Sequence, residues 1–320
     1  MTPKAHRVRV LWAFAAVYII WGSTYLAIRF AIETLPPFFM ASVRFLIAGA
    51  ILFAWRAARG APRPTATEWR GAAITGLLML MFGNGAVVWS EQYVPSGVVA
   101  LIVAVVPLWM VLLDWLWQHN APPTLRVLGG VLLGFGGIAL LIGRDAFAGG
   151  GDMRTLGLLA PIGGSLTWAI GSLYAKRVTP AGRPFQAIAM QMLAGGVGLL
   201  ALSLATGELG TLQLEGVSLR SVLATLYLAA FGSIVAYSAY VWLLGHVDPA
   251  RVATYAYVNP VVAVLLGWAF AGEALSVRML VASAVIIAGV ALITWQPRPQ
   301  LVRPIPGAQT PPGAKPGSRR

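Results

Sequence analysis

The stretch SAYVWLLGHVDPARVATYAYVNPVVAVLLGWAFAGEALS, Ser238 to Ser276, decides the fold, because most of it has an earlier counterpart in VVWSEQYVPSGVVALIVAVVPLWMVLLDW, Val87 to Trp115. At the single shift that lays Pro107 on Pro260, Trp89 falls on Trp242, Val94 on Val247, Ala100 on Ala253, and the run Val111 to Trp115 on Val264 to Trp268. Apolar segments match one another easily by chance, so the weight rests on the tryptophans and the proline, which hold register without a gap. The chain reads as two copies of one unit.

Composition says what kind of unit it is. Hydrophobic residues make up 58% of the chain and charged residues 10%, against about a quarter charged in soluble domains. With a mean hydropathy of +0.77, this is an integral membrane protein. Apolar runs of about 17 to 25 residues recur between short polar breaks, the length an α-helix needs to cross roughly 30 Å of hydrocarbon. Alternating ten-residue strands are absent, which excludes an outer-membrane barrel. The absence of cysteine removes disulfides, thiolate nucleophiles and thiolate metal sites. A net charge of +13 would point to nucleic acid in a soluble protein, but here the basic residues gather in loops and tails. They carry topology, and no nucleic-acid partner is expected.

The N-terminal segment MTPKAHRVRV resembles the basic region of a signal peptide, yet the apolar run from Val10 continues to about Phe30 without a small-residue cleavage site, so it is expected to stay as a first span. Further spans are expected at Phe38 to Trp55, Trp69 to Trp89, Val94 to Trp117 and Arg126 to Ile142, then at Leu156 to Ala175, Pro184 to Thr206, Ser221 to Leu243, Ala250 to Phe270 and Val277 to Trp295. The expected fold is all-α: ten transmembrane helices as two five-helix repeats over 1–143 and 155–296. The glycine-rich joint at 144–154 is placed in the periplasm, and the Pro- and Gly-rich tail at 297–320 is read as disordered cytoplasmic chain.

Loop charges set the orientation. Lys4, Arg7 and Arg9, the group Arg56, Arg59, Arg63 and Arg70, then Arg126, Lys176, Arg177, Arg183, Arg251 and the basic tail fall on one side; Arg144, Arg154, Arg220 and Arg278 fall on the other. Both termini are therefore expected in the cytoplasm. Because five is odd, the second copy enters the membrane from the opposite side, and the duplication is inverted. Inverted repeats are the architecture by which secondary transporters alternate access around a site at their interface.

Two segments carry a family likeness: YIIWGSTYLAIRFAIETLPPFFMASVRFLIAGAILF, Tyr18 to Phe53, and YAYVNPVVAVLLGWAFAGEALS, Tyr255 to Ser276. They resemble the drug/metabolite transporter superfamily, EamA-type permeases, and the similarity runs from about Leu11 to Trp295. The resemblance implies a ten-helix bundle of two inverted repeats in a plasma membrane, here the bacterial inner membrane, exporting amino acids, metabolites or toxic small molecules. Smaller four-helix relatives in the superfamily carry a membrane-embedded glutamate in their first helix for proton/cation exchange. This chain has Trp21, Gly22 and Ser23 there and no carboxylate, which argues against cationic-drug/proton antiport by that route.

Candidate substrate-binding residues are those whose chemistry is out of place in mid-span. Trp21 lies midway along the first span with Tyr25 one turn later, and Trp168 takes the matching place in the sixth. Either tryptophan alone reads equally well as filler, but the symmetric pair points to a cavity lining, unlike Trp55, Trp69, Trp117 and Trp295, which sit at span ends as interfacial anchors. Asn259-Pro260 places a helix breaker and an amide in span nine, with Tyr255 one turn earlier, and carbonyls freed there must be satisfied by protein, water or substrate. Ser233, Tyr237 and Tyr240 share a face of span eight, and Asn84 stands between two glycines in span three; the alternative for these polar groups is helix-to-helix hydrogen bonding. Pro107 and Pro260 are candidate paired hinges.

Charged residues inside spans are few. Arg29 is close enough to a span end to snorkel. Arg44 lies about six residues in, roughly 9 Å deep by helix rise, where arginine needs a partner or water; it either faces the pathway and orients a carboxylate, of the substrate or of Glu91, or reaches lipid phosphates. Asp114 and Glu91 lie near span ends, and Glu273 reads as a loop or helix-start carboxylate, so any proton coupling falls to Glu91 or Asp114. The three histidines, His6, His119 and His246, lie in loops or tails, and no partnered base, metal cluster or cofactor motif is evident, which leaves an intramembrane enzyme the weakest reading beside a channel or an importer. The expected partners are a small-molecule substrate, neutral or zwitterionic, and membrane lipid. One chain carries both repeats, so a monomer or a homodimer is expected.

Overall fold

Long apolar runs interrupted by Pro-containing or Gly-containing turns can satisfy their backbones in hydrocarbon only as helices, and in the computed structural model every regular element among the described residues is a helix. These are 3–118, 124–142, 153–180, 182–247, 252 and 254–294. Seven helices are long and apolar enough to cross a membrane: α1 (His6–Ala31), α2 (Pro37–Ala58), α3 (Ala66–Ser90), α4 (Ser96–Leu113), and, beyond a shorter apolar helix α5 (Leu125–Ile142), α6 (Met153–Val178), α7 (Pro184–Ala205) and α8 (Leu219–Leu243). Two further shorter apolar helices follow, α9 (Tyr255–Ala271) and α10 (Val277–Thr294). Apart from Met153 and Arg154, the joint between the halves lies outside the described residues, as do the tail, His119, Arg251 and Trp295. So do the side chains of Asp114 and Trp117.

Local sequence explains the helix ends. Pro37 and Pro184 open α2 and α7 at the first helical turn, where a missing N–H costs nothing. Thr65 and Glu68 form a reciprocal capping box at the start of α3. Gly272 ends α9 at φ +65°, a left-handed conformation that favours glycine. Three helices widen into π turns, at Ala16–Ile20 in α1, Leu77–Asn84 in α3 and Leu228–Tyr237 in α8. At the shift that lays Pro107 on Pro260, Asn84 falls on Tyr237, so the last two π segments end at matching places in the two copies.

Close backbone approach through glycine holds the bundle together, as expected where helices pack without a hydrophobic drive between them. In α2 a Cβ at Gly49 would stand 3.0 Å from Leu193 of α7, and one at Gly196 of α7 would stand 2.9 Å from Leu46 of α2. Leu46 and Leu193, and Gly49 and Gly196, correspond in the repeat. The contact is thus reciprocal, which is what a two-fold relation imposes on a self-complementary surface. The same holds further in: Gly232 of α8 meets Thr24 of α1, while Gly171 of α6 meets Met79 of α3, and these two contacts are repeat images of each other.

Candidate functional site

At the end of the bundle that carries the loops 32–36, 91–95, 206–218 and 272–276, here the upper end, polar links join residues of the first copy to residues of the second. Glu208 accepts from the backbone N–H groups of Phe38 (3.2 Å) and Phe39 (2.9 Å) at the start of α2. Glu273 accepts from Ser96 N (2.7 Å) and Gly97 N (3.1 Å) at the start of α4. Ser221 Oγ donates to Phe30 O (2.8 Å), and Arg220 pairs with Glu33 (3.2 Å). At the lower end Arg183 pairs with Glu68 (3.2 Å), and Gln186 Nε2 donates to Pro62 O (2.8 Å).

Between the ends lies a cavity with about 90 Å³ of room for the centres of water-sized spheres. At 10–15 Å³ per water this holds roughly half a dozen waters, or a ligand of few heavy atoms. Nine of the polar and aromatic residues singled out from the sequence line it: Trp21 and Tyr25 of α1, Arg44 of α2, Asn84 of α3, Trp168 of α6, Ser233 and Tyr237 of α8, and Tyr255 and Asn259 of α9. The tenth, Tyr240, is absent from the lining. It is 2% exposed and sits behind the wall, its ring 5.0 Å from Trp21 and 5.8 Å from Tyr255. In this conformation Tyr240 packs against the residues that form the wall.

The aromatic wall is built across the repeats. Trp21 and Trp168 meet edge to face at 6.0 Å, and Trp21 meets Tyr255 at 5.5 Å in the same manner, an arrangement favoured by ring quadrupoles. Two of the lining residues also donate to main-chain oxygens inside π segments. Trp21 Nε1 donates to Gly232 O (3.1 Å) inside the π segment of α8. With its amide turned so that nitrogen faces two carbonyls, Asn259 donates to Tyr18 O (3.1 Å) and Val17 O (3.3 Å) inside the π segment of α1. The prolines behave differently from each other. The backbone of α4 breaks into a turn at 104–105, just before Pro107, and Val103 and Val106 on either side line the cavity. Pro260 sits inside α9, which is continuous from Tyr255 to Ala271, so the pair are not matching breaks.

Arg44 is 4% exposed and turned inward, away from the outer surface of the bundle along which a snorkelling arginine would reach. Its Nε donates to Ser233 Oγ (2.9 Å), its guanidinium lies 4.5 Å over the ring of Phe45, and its Nη1 has no hydrogen-bond partner. Gln191, its repeat image, accepts from the Tyr237 hydroxyl (2.7 Å). The two counterparts thus grip α8 one turn apart. Glu91 makes no ion pair with Arg44 in this conformation; it is fully buried and neither carboxyl oxygen has a hydrogen-bond partner. Arg29 Nη1 donates to the main-chain oxygen of Glu91 (2.6 Å), which holds this arginine against α3. Two more lining atoms make no hydrogen bond of good geometry: Asn84 Oδ1 and Trp168 Nε1, the latter facing the hydroxyls of Tyr240 and Tyr255 as its nearest acceptors.

Thr24, Phe45, Gly164, Ser165 and Gly232 also line the cavity and were not legible as site residues. Gly164 had a signal only in company with Gly83: a Cβ on it would stand 2.9 Å from Gly83 O, so α3 and α6 cross here backbone to backbone. Glu208 had a stronger one, because α2 begins on Pro36-Pro37 with no capping side chain of its own and its first N–H groups require an acceptor from elsewhere.

The profile of the EamA-like transporter family matches residues 8–143 and again 155–295. The "Uncharacterized inner membrane transporter YedA" of Escherichia coli (strain K12) is 43% identical over 285 residues, 88% of this chain and 89% of that one. The "Uncharacterized transporter YvbV" of Bacillus subtilis (strain 168) is 26% identical over 299 residues, 93% of this chain and 94% of that one. A solved crystal structure matches with a TM-score of 0.65 at 21% identity, covering 90% of this chain and 97% of that chain; at that identity the likeness is one of fold.

Proposed function

This chain belongs to the EamA-like transporter family and is a membrane transporter, and from that premise we propose that it exports small neutral or zwitterionic metabolites, such as amino acids and related compounds, by alternating access. In this reading ten helices span the membrane as two inverted repeats, 1–143 and 155–296, with both termini in the cytoplasm and the upper end facing outward. The reciprocal Gly49 and Gly196 contacts support the inverted pairing, and the excess of Lys and Arg in the loops at the lower end supports the orientation. Export is carried over from the family resemblance.

The observation that carries the substrate class is the set of unpartnered polar atoms in a small cavity. Arg44 Nη1 and Trp168 Nε1 offer donors, Asn84 Oδ1 offers an acceptor, and Trp21, Tyr237 and Tyr255 offer aromatic faces. A ligand with a carboxylate at one end and an ammonium at the other complements all of them, the ammonium resting on ring faces. Arg44 is the sole cation among the lining residues, whereas phosphate clamps gather several basic groups. The cross-repeat links at both ends are polar and few, which supports gates that open by exchanging protein hydrogen bonds for water.

A thermal-shift screen of the purified protein against amino acids, sugars, nucleosides, aromatic amines and sugar phosphates tests this reading. A ligand that binds only the native state stabilises it by about 2.7 kcal/mol at a hundred times its Kd. Zwitterionic amino acids are expected to raise the melting temperature and sugar phosphates to leave it unchanged. A response confined to sugar phosphates would overturn the substrate class.

A further inference from the structure

Glu91 is a buried carboxyl that the reading above does not use. It follows α3 directly, and its position is defined by its neighbours along the chain. Val87, one turn earlier, lines the central cavity. Gln92, the next residue, lines a separate vestibule at the upper end together with Arg29, Glu33, Arg220 and Phe270. The Glu91 side chain, with no exposure to either space, therefore stands in the septum between them.

The charged and titratable groups that face Glu91 come from every element packed around it: Arg29 and Tyr25 from α1, Arg44 from α2, and Glu273 from the loop after α9. None pairs with its carboxyl. Arg29 Nη1 is engaged by the main-chain oxygen of Glu91, Arg44 Nε by Ser233, and the carboxylate of Glu273 by the N-terminus of α4. A carboxylate without donors in a dry wall is unstable relative to the neutral acid. We propose that Glu91 is the proton site of this transporter: a neutral acid in the septum while the upper gate is shut, which loses its proton to vestibular water only as that gate opens and regains one from the same water as it closes. The step is an acid ionisation, with the O–H proton passing to water, and it needs no other reactant. The gate half of this proposal rests on the alternating-access reading; the neutral acid does not.

Glu208 and Glu273, the other carboxyls at this end, are engaged as acceptors at the starts of α2 and α4. Protonated Glu91 closes the gate, so alkali opens it. Two measurements follow. Infrared spectra of the reconstituted protein near neutral pH are expected to contain a carboxylic-acid C=O band that shifts in D2O, disappears in Glu91→Gln and returns, displaced, in Glu91→Asp. The chain has no cysteine, so Asn84→Cys places one thiol in the cavity. Its labelling by an impermeant maleimide from the vestibule side, taken at each pH relative to that of a free thiol in the same buffer so that thiolate formation cancels, is expected to rise with pH on that side, by at most about tenfold per pH unit for one proton. In Asn84→Cys/Glu91→Gln it is expected to stay low and flat, and in Asn84→Cys/Glu91→Asp to keep its slope. An acid band untouched by Glu91→Gln, or a pH rise that survives Glu91→Gln, overturns the proposal. Equal labelling from both sides at every pH would sink alternating access and the gate with it, while the infrared band still decides whether Glu91 is a neutral acid.

Discussion

Gly76→Ala tests whether the packing of α3 on α7 sets the geometry of the cavity. A Cβ at Gly76 would lie 3.0 Å from Gln191 C and 3.0 Å from Gly195 N, and closer still to Gln191 O. All three atoms belong to the main chain of α7 and cannot swing aside as a side chain would. Ordinary contact is about 3.5–4.0 Å, so the helices must part by roughly half an ångström or more at this crossing. Overpacking of this kind costs about 1–3 kcal/mol. The displaced residue is Gln191, whose Oε1 accepts from Tyr237 OH at 2.7 Å, and losing that bond adds about 1 kcal/mol. Tyr237 lines the cavity, so the same methyl group is expected to lower both the melting temperature and substrate-induced stabilisation. Gly163→Ala is the control: a Cβ there meets nothing within 4 Å, and replacing glycine within a helix is worth up to about 1 kcal/mol in the opposite direction. Thermal unfolding of the purified variants in one detergent compares them. If Gly76→Ala melts at or above the native temperature, the backbone contact is not as close as described and the link from packing to site fails.

Three further outcomes are expected. Arg44→Lys keeps the charge but loses the planar fork, so both it and Arg44→Gln should abolish transport in liposomes with expression intact; native rates in both would make Arg44 a structural residue and shift the site to Trp21, Trp168 and Asn259. Gly150→Cys, in the joint expected to face the periplasm, should react with an impermeant thiol reagent added from the periplasmic side, and reaction only from the cytoplasmic side would reverse the orientation. Transport should persist when chains are reconstituted at fewer than one per liposome, because one chain holds both repeats, and activity that vanishes at that dilution would show that a dimer is required.

What was legible in the sequence divides by the distance over which the cause acts. Helix positions depend on apolar run length and on local punctuation such as Pro36-Pro37, Thr65 to Glu68 and Gly272, all within one segment, and the helices follow the expected spans closely. The lining residues were legible for a related reason: tryptophan, tyrosine, asparagine and arginine in mid-span need an environment that lipid does not provide, whatever their neighbours turn out to be. Glu91 was legible only in part, as a carboxylate near a span end that could couple protons or face Arg44. Its full burial was not, because it depends on Arg29 and the loop after α9 closing over it, contacts some 60 and 180 residues away in sequence. Pro107 and Pro260 show the same limit from the other side, since identical residues in matching places yield a broken α4 and an intact α9. The π turns show the same dependence. In two of the three π segments a main-chain oxygen accepts from a side chain of the opposite repeat, Trp21 in α8 and Asn259 in α1. These contacts have no counterpart within either half alone, and the wall of the cavity exists only once the two copies are packed against each other. A carrier that rocks one repeat against the other would have to break or carry along these bonds, which makes Trp21→Phe, lacking the indole N–H, the substitution expected to loosen the π segment of α8 while leaving the helices themselves in place.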